Sequence, residues 1–296
     1  MEEETTLIKE RSATEEAFKS LRKNKSAIVG LVIILILILC AIFAPVISPY
    51  NPNEQDLYNG LKPGFWVGNT QNFLGTDEFG RDILSRIIYG SRVSLSVGLV
   101  AVAIGVLLGG FAGIFAGYYG GFVDNLLMRI VDIMFSLPSI LLAIVIVAVL
   151  GRGLSKAMVA IGITYAPQIA RVVRSETIVV KQNQYIEAAK AIGSSNLRTI
   201  RIHVLPNVLS VIIVYTTLSI GSAILDAAAL GFLGLGAQPP TSEWGAMLAD
   251  SRHYITGGYW WLATFPGIAI LLSVLGFNLL GDGLRDAIDP RLRQKF

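Results

Sequence analysis

No charge interrupts residues 26–48, an apolar run long enough for a helix to cross a hydrocarbon core, which takes roughly 20 residues. The run exceeds the apolar core of a cleavable leader, about 7–15 residues, and ends in Ala44-Pro45-Val46, so it is expected to stay attached. Further apolar stretches follow at 93–117, 126–150, 157–173, 208–235 and 260–280. The pattern predicts an all-α integral membrane protein with six transmembrane helices. Pro138, Pro167 and Pro266 fall inside the third, fourth and sixth stretches, and each removes a backbone hydrogen bond, so kinks are expected there.

Polar segments divide the chain further. A tail over 1–25 mixes six acids with six bases and reads either as a solvated tail or as an amphipathic helix on the membrane surface. Residues 26–48 are the first span, and 49–92 form a loop rich in Asn, Gly and Pro, with a short interfacial helix expected near Ile83. Residues 93–282 hold the five-helix core, including two long connections at 174–207 and 236–259, and 283–296 are a second tail. Long loops on a rigid scaffold are where function tends to sit. Seventeen of the 24 Lys and Arg fall on one side when the N-terminus is placed in the cytoplasm, so both termini are expected to be cytoplasmic.

Composition narrows the function classes. With 53% apolar residues, 15% charged and a mean hydropathy of +0.61, the chain has lipid as its main solvent, and its +3 charge is too scattered for nucleic acid. Cys40 lies inside an apolar run and has no intrachain partner. The two histidines, His203 and His253, are expected on opposite membrane faces, which argues against a His-based metal or nucleophile site. No G-x-x-x-x-G-K-[ST] phosphate cradle occurs, so the chain reads as no enzyme: no catalytic residue, no metal and no cofactor of its own.

Within the second stretch Gly105, Gly109, Gly113 and Gly117 recur every fourth residue and share one helix face, where a neighbouring backbone can approach closely. Asp124, Arg129 and Asp132 cluster at the start of the third, with Arg129 placed to pair with Asp132 one turn on. The 174–207 loop carries Tyr185-Ile186-Glu187-Ala188-Ala189-Lys190-Ala191-Ile192-Gly193, a short helix of good formers stopped by a glycine, and continues to Val204-Leu205-Pro206-Asn207.

That spacing resembles the EAA-x3-G-x9-I-x-L-P signature of binding-protein-dependent ABC importer permeases, with His203 where the signature has Ile. The segment Leu74-Gly75-Thr76-Asp77-Glu78-Phe79-Gly80-Arg81-Asp82 and the C-terminal Gly281-Asp282-Gly283-Leu284-Arg285-Asp286 are similar to the C-type subunit of dipeptide and oligopeptide importers. The resemblance spans about residues 21–293. It implies the type I ABC importer permease architecture. It also implies a coupling role toward the ATPase for Glu187, Ala188, Ala189, Gly193, Leu205 and Pro206, with ATP and Mg bound by partner subunits. The implied partners are a second, B-type permease, two cytoplasmic ATPase subunits and an extracytoplasmic substrate-binding protein. The substrate expected is a di- or oligopeptide, with nickel and a modified peptide such as glutathione as alternatives within the family. An ion-driven secondary transporter is the alternative of a different class, disfavoured by an almost uncharged midplane.

Asp226 is the acid deep in the fifth stretch. Counting from Asn207 at about 1.5 Å per residue puts it roughly 28 Å along the helix, near the outer edge of the hydrocarbon. Two roles are open: an ion pair with Arg92, Arg152 or Arg252, or a place at the outer mouth of a pathway gated by 232–244, where it helps hold the gate or meets a peptide's amino group, with Phe232, Pro239, Pro240 and Trp244 as gate candidates.

Overall fold

The computed structural model describes residues 21–288, so the tail helix weighed for 1–25 lies largely outside the described residues, as does the end of the C-terminal tail. The described residues fold as helices α1 (Lys25–Ile47), α2 (Ile83–Tyr119), α3 (Gly121–Phe135), α4 (Ser139–Leu150), α5 (Leu154–Lys181), α6 (Gln184–Ala191), α7 (Asn196–Phe232), α8 (Trp244–Ser251) and α9 (Trp261–Ile288). The bundle has two ends. Residues 49–82 and 233–260 gather at one, the loop end, where Trp66 contacts Trp260 and Gly153 N–H donates to Leu235 O at 3.3 Å. At the other, the docking end, the close of α2 meets α6 and the start of α7.

Among the described residues four helices, α1, α2, α7 and α9, are long and apolar enough to cross a membrane. The stretch read as a third span is a bent pair, α3 and α4, turned by 94° at Ser136-Leu137-Pro138. Pro138 supplies no N–H and keeps Leu137 out of helical geometry, so the chain turns there rather than kinking. Helix α5, read as the fourth span, is 28 residues long but less apolar than the others, because Thr164, Tyr165 and Gln168 lie in its middle and Arg171 and Arg174 follow. Pro167 and Pro266 sit inside unbroken helices, as does Pro45 in α1.

The interfacial helix expected near Ile83 is not separate. It is the first part of α2, 37 residues long, whose N-terminus Asp82 caps by accepting from Ser85 N–H at 2.8 Å. Behind that cap Asp77 receives Arg81 Nε at 2.6 Å and faces Arg86 Nε at 3.6 Å, all three side chains buried or nearly so. The Asp77-to-Arg86 segment is thus an internal charge network that fastens the loop end.

Helix α2 lies against α5 along the glycine stripe. A Cβ on Gly113 would stand 2.6 Å from Ala170 O, and one on Gly117 would stand 2.7 Å from Thr177 Cβ. The contact is reciprocal: a Cβ on Gly162 of α5 would stand 2.7 Å from Ala101 O. The main core, including Val97, Ile161, Ile169, Val173, Val208 and Ile224, fills the space between α2, α5 and α7.

The pairing read for Arg129 and Asp132 does not form. Both acids of that cluster are taken across the helix gap by α5: Arg174 grips Asp124 through two bonds of 2.5 and 2.6 Å, and Arg171 reaches Asp132 at 2.7 Å with its guanidinium 4.0 Å above the Phe135 ring. A planar guanidinium matches a carboxylate bidentately, which an i,i+3 neighbour on one helix does not achieve.

Candidate functional site

At the docking end α6 stands on the surface. Ile186 and Ala189 turn inward and are buried, whereas Glu187 and Ala188 are exposed on the opposite side. Gly193 ends the helix at φ +86, its N–H donating to Lys190 O at 2.9 Å while Ser194 N–H returns to Ala189 O at 3.0 Å. Around this helix Tyr185, Ile192, Leu197 and Ile202 are exposed, Ile192 by 86%. Three of these are large aliphatic side chains clustered at a charged, loop-bearing end, an arrangement that suits contact with another protein.

Leu205 and Pro206 lie where α7 carries a turn of π-helix, Ile200–Val204. Leu205 N–H bonds to Ile200 O, five residues back, one position before Pro206 interrupts the ladder. His203 belongs to this turn, its ring centroid 6.0 Å from that of Tyr185 on α6.

Between α5 and α7 lies an open cavity of about 430 Å³. Helix α5 contributes Thr164, Tyr165 and Gln168, and Ser139 enters from the first turn of α4. Helix α7 contributes Tyr215, Leu218, Ser219, Ser222 and Asp226. Four of these, Tyr215, Ser219, Ser222 and Asp226, recur at four-, three- and four-residue steps and so form one polar stripe on an apolar helix. The Tyr165 hydroxyl donates to Asp226 Oδ2 at 2.9 Å, and Tyr215 donates to Gln168 Oε1 at 3.4 Å, closing two bridges across the cavity.

Asp226 thus lines this cavity, whereas the expected ion pair is not formed. Its protein partner is Tyr165, and the ion pairs among the described residues do not include it with Arg92, Arg152 or Arg252. The stretch above it is not uniform either. Phe232, Pro239 and Pro240 are exposed at the loop end, but Trp244 is fully buried, its Nε1 donating to Ile87 O at 3.1 Å. Trp244 is an anchor for α8 and does not line the cavity.

Glu243, beside it, escaped sequence reasoning because glutamate is not a favoured helix cap. It is 2% exposed and caps α8 by accepting from Gly245 N–H at 2.9 Å and Ala246 N–H at 2.8 Å, while the Ser94 hydroxyl of α2 donates to it at 3.1 Å. A Cβ on Gly231 of α7 would stand 2.6 Å from Glu243 Oε2, so one carboxylate joins α2, α7 and α8. Burial pushes the Glu243 carboxyl above its ordinary value, with the two backbone donors and Ser94 pulling the other way. Of the cavity residues, sequence reasoning found only Asp226; the stripe on α7 and the Thr164-Tyr165-Gln168 group were the legible signals.

Residues 105–294 match the family described as binding-protein-dependent transport system inner membrane component, and 12–63 match the N-terminal TM domain of oligopeptide transport permease C. The chain is 52% identical over 282 residues to the dipeptide transport system permease protein DppC of Alkalihalophilus pseudofirmus, across 95% of this chain and 91% of that one. It is 48% identical to the di/tripeptide transport system permease protein DppC of Pseudomonas aeruginosa (95% and 93% covered). It is 47% identical to the glutathione transport system permease protein GsiD of Shigella flexneri (96% and 92% covered). Among solved structures, a chain of the MetNI methionine ABC transporter in an inward-facing conformation superposes with a TM-score of 0.56 at 22% identity, over 69% of this chain and 97% of that one. The last likeness concerns the fold alone.

Proposed function

This chain belongs to the family of binding-protein-dependent transport system inner membrane components, and from that premise we propose that it forms half of the pathway by which an ATP-driven importer carries dipeptides across the inner membrane. The observation that carries the reading is the span of one helix. Helix α7 begins three residues beyond Gly193, at the foot of the docking helix, and presents Tyr215, Ser219, Ser222 and Asp226 to the cavity further along. A displacement of α6 is thereby delivered to the cavity wall through a continuous rod.

On this reading α6 seats in a cytoplasmic ATPase, with Glu187 and Ala188 on the contact face, Ala189 holding the helix to the bundle and Gly193 setting its exit. Leu205 and Pro206 lie within the rod itself, directly after its π-helical turn. ATP and Mg are bound by two ATPase subunits, a B-type permease supplies the other half of the pathway, and a substrate-binding protein delivers the peptide. Dipeptides are preferred over glutathione because relatives carrying the dipeptide name stand at 52% and 48% identity, against 47% for the glutathione relative.

The test is reconstitution of the complete complex in proteoliposomes with labelled alanyl-alanine. ATP-dependent uptake that requires the binding protein is expected. Uptake of glutathione or nickel but of no dipeptide overturns the substrate assignment.

A further inference from the structure

We propose that Asp226, oriented by Tyr165, is an ammonium-binding subsite that takes the free α-amino end of the passing peptide. The inference rests on the peptide-import reading above and adds to it the residue that reads one end of the cargo.

Three observations carry it. First, the cavity wall holds one charged side chain, the Asp226 carboxylate, and no Lys, Arg or His lines it, so the space favours a cation over an anion. Second, the carboxylate is half used. Its Oδ2 accepts from the Tyr165 hydroxyl at 2.9 Å, which fixes the plane of the group, while among the described residues Oδ1 receives no hydrogen bond. Third, the remaining wall is rich in neutral acceptors, including Gln168 and Ser222, and an alkylammonium brings three donors that need such partners. The volume, about 430 Å³, falls within the range of small-molecule sites, about 300–1,000 Å³. An acid within a spanning helix marks a function by default, and here its partner and its open oxygen are both identified.

A metal is a poorer occupant, since no group of three or more His, Cys, Asp or Glu is assembled among the described residues. A carboxylate next to a phenol and an amide is weakly furnished for a divalent ion but well furnished for an amine. The site acts after the binding protein has chosen the peptide. It holds the amino end against the wall of α7, so a movement of α7 moves the peptide with it.

Two measurements test this on the complete complex. The first is uptake of alanyl-alanine per ATP hydrolysed in proteoliposomes with saturating loaded binding protein. Asp226→Asn is expected to assemble, with uptake per ATP hydrolysed falling about tenfold, or about 1.4 kcal/mol; Asp226→Glu restores most of it. The second is equilibrium binding, without the binding protein, of alanyl-alanine and of propionyl-alanine, which has the same shape but lacks the amine. The wild-type complex is expected to prefer alanyl-alanine about tenfold, and Tyr165→Phe to narrow that preference. Unchanged uptake per ATP in an assembled Asp226→Asn complex overturns the proposal. So does a wild-type complex that binds both probes equally, a result that stands even if the Asn variant fails to assemble. Sodium-dependent uptake without any preference for the amine overturns it in favour of an inorganic cation. Failure of the wild-type complex to import any peptide strikes the import reading instead.

Discussion

The Lys190 ammonium lies 5.1 Å from the centroid of the Tyr118 ring, so the docking helix is clamped to the end of α2. Lys181 approaches the same ring at 5.8 Å, and the Tyr118 hydroxyl donates to Asn196 Oδ1 at 3.1 Å at the start of α7. One buried ring thus joins α2, α5, α6 and α7. Cation–π contacts of this kind contribute about 0.5–1 kcal/mol each at exposed sites. Tyr118→Ala is expected to lower uptake per ATP severalfold without abolishing ATP turnover, and Tyr118→Phe to retain most of the coupling. Parallel measurement of hydrolysis and uptake decides it, and an unchanged ratio in the Ala variant contradicts the clamp.

Gly193 faces open space, since a Cβ there would meet no atom within 4 Å, and any penalty on substitution comes from the backbone at φ +86. A left-handed conformation costs an ordinary residue about 1–2 kcal/mol, more when it is β-branched. Gly193→Val is expected to redirect the exit from α6, weakening co-purification of the ATPase and reducing uptake at least severalfold. Normal assembly with normal uptake counts against the docking role.

The glycine stripe makes a prediction about stability. With Ala170 O 2.6 Å from the position of a Cβ on Gly113, a leucine there forces α2 and α5 apart. Overpacking costs about 1–3 kcal/mol where the neighbours can shift, and here the neighbour is backbone. Thermal unfolding of detergent-solubilised Gly113→Leu is expected several degrees below wild type, whereas Gly110→Ala, at a position with nothing within 4 Å, is expected to leave the midpoint in place.

Glu243 ties part of the stability to pH. Burial raises its folded pKa above the ordinary 4.5, so the native state holds this proton more tightly than the unfolded chain does. Its contribution is fully present below the ordinary value and is lost as pH rises through the raised one. Glu78 and Asp250, also raised by burial at the loop end, act with the same sign. The unfolding midpoint of the wild type is expected to fall as pH rises above the ordinary carboxyl range, with a shallower slope in Glu243→Gln. Equal slopes in the two proteins would falsify the assignment to this group.

Much of the fold was legible because lipid imposes a simple rule on length and apolarity, and α1, α2, α7 and α9 follow it closely. The exceptions have physical causes. Pro138 ends a helix that composition alone extends to Leu150, and the 94° turn it permits depends on what α4 packs against. Arg129 looked placed for Asp132 because sequence shows only neighbours on one helix, while Arg171 and Arg174 arrive from another. The Tyr185-to-Gly193 pattern gave the surface helix and its stop, since both are local. Tyr165 was invisible as a partner of Asp226 because 61 positions separate them. The four-residue polar rhythm on α7 was available, but it is concealed when a span is scored by its average.

Helix α5 is too polar through its middle to be recognised as a membrane segment by itself, yet its neighbour α2 is apolar and comes earlier in the chain. The groove on α2 floored by Gly105, Gly109, Gly113 and Gly117 faces α5 with bare backbone, and the two helices come so close that a Cβ on Gly109 would stand 2.3 Å from Ala166 O. A polar helix thus sits beside an apolar one with no bulky side chain of α2 between them along this seam.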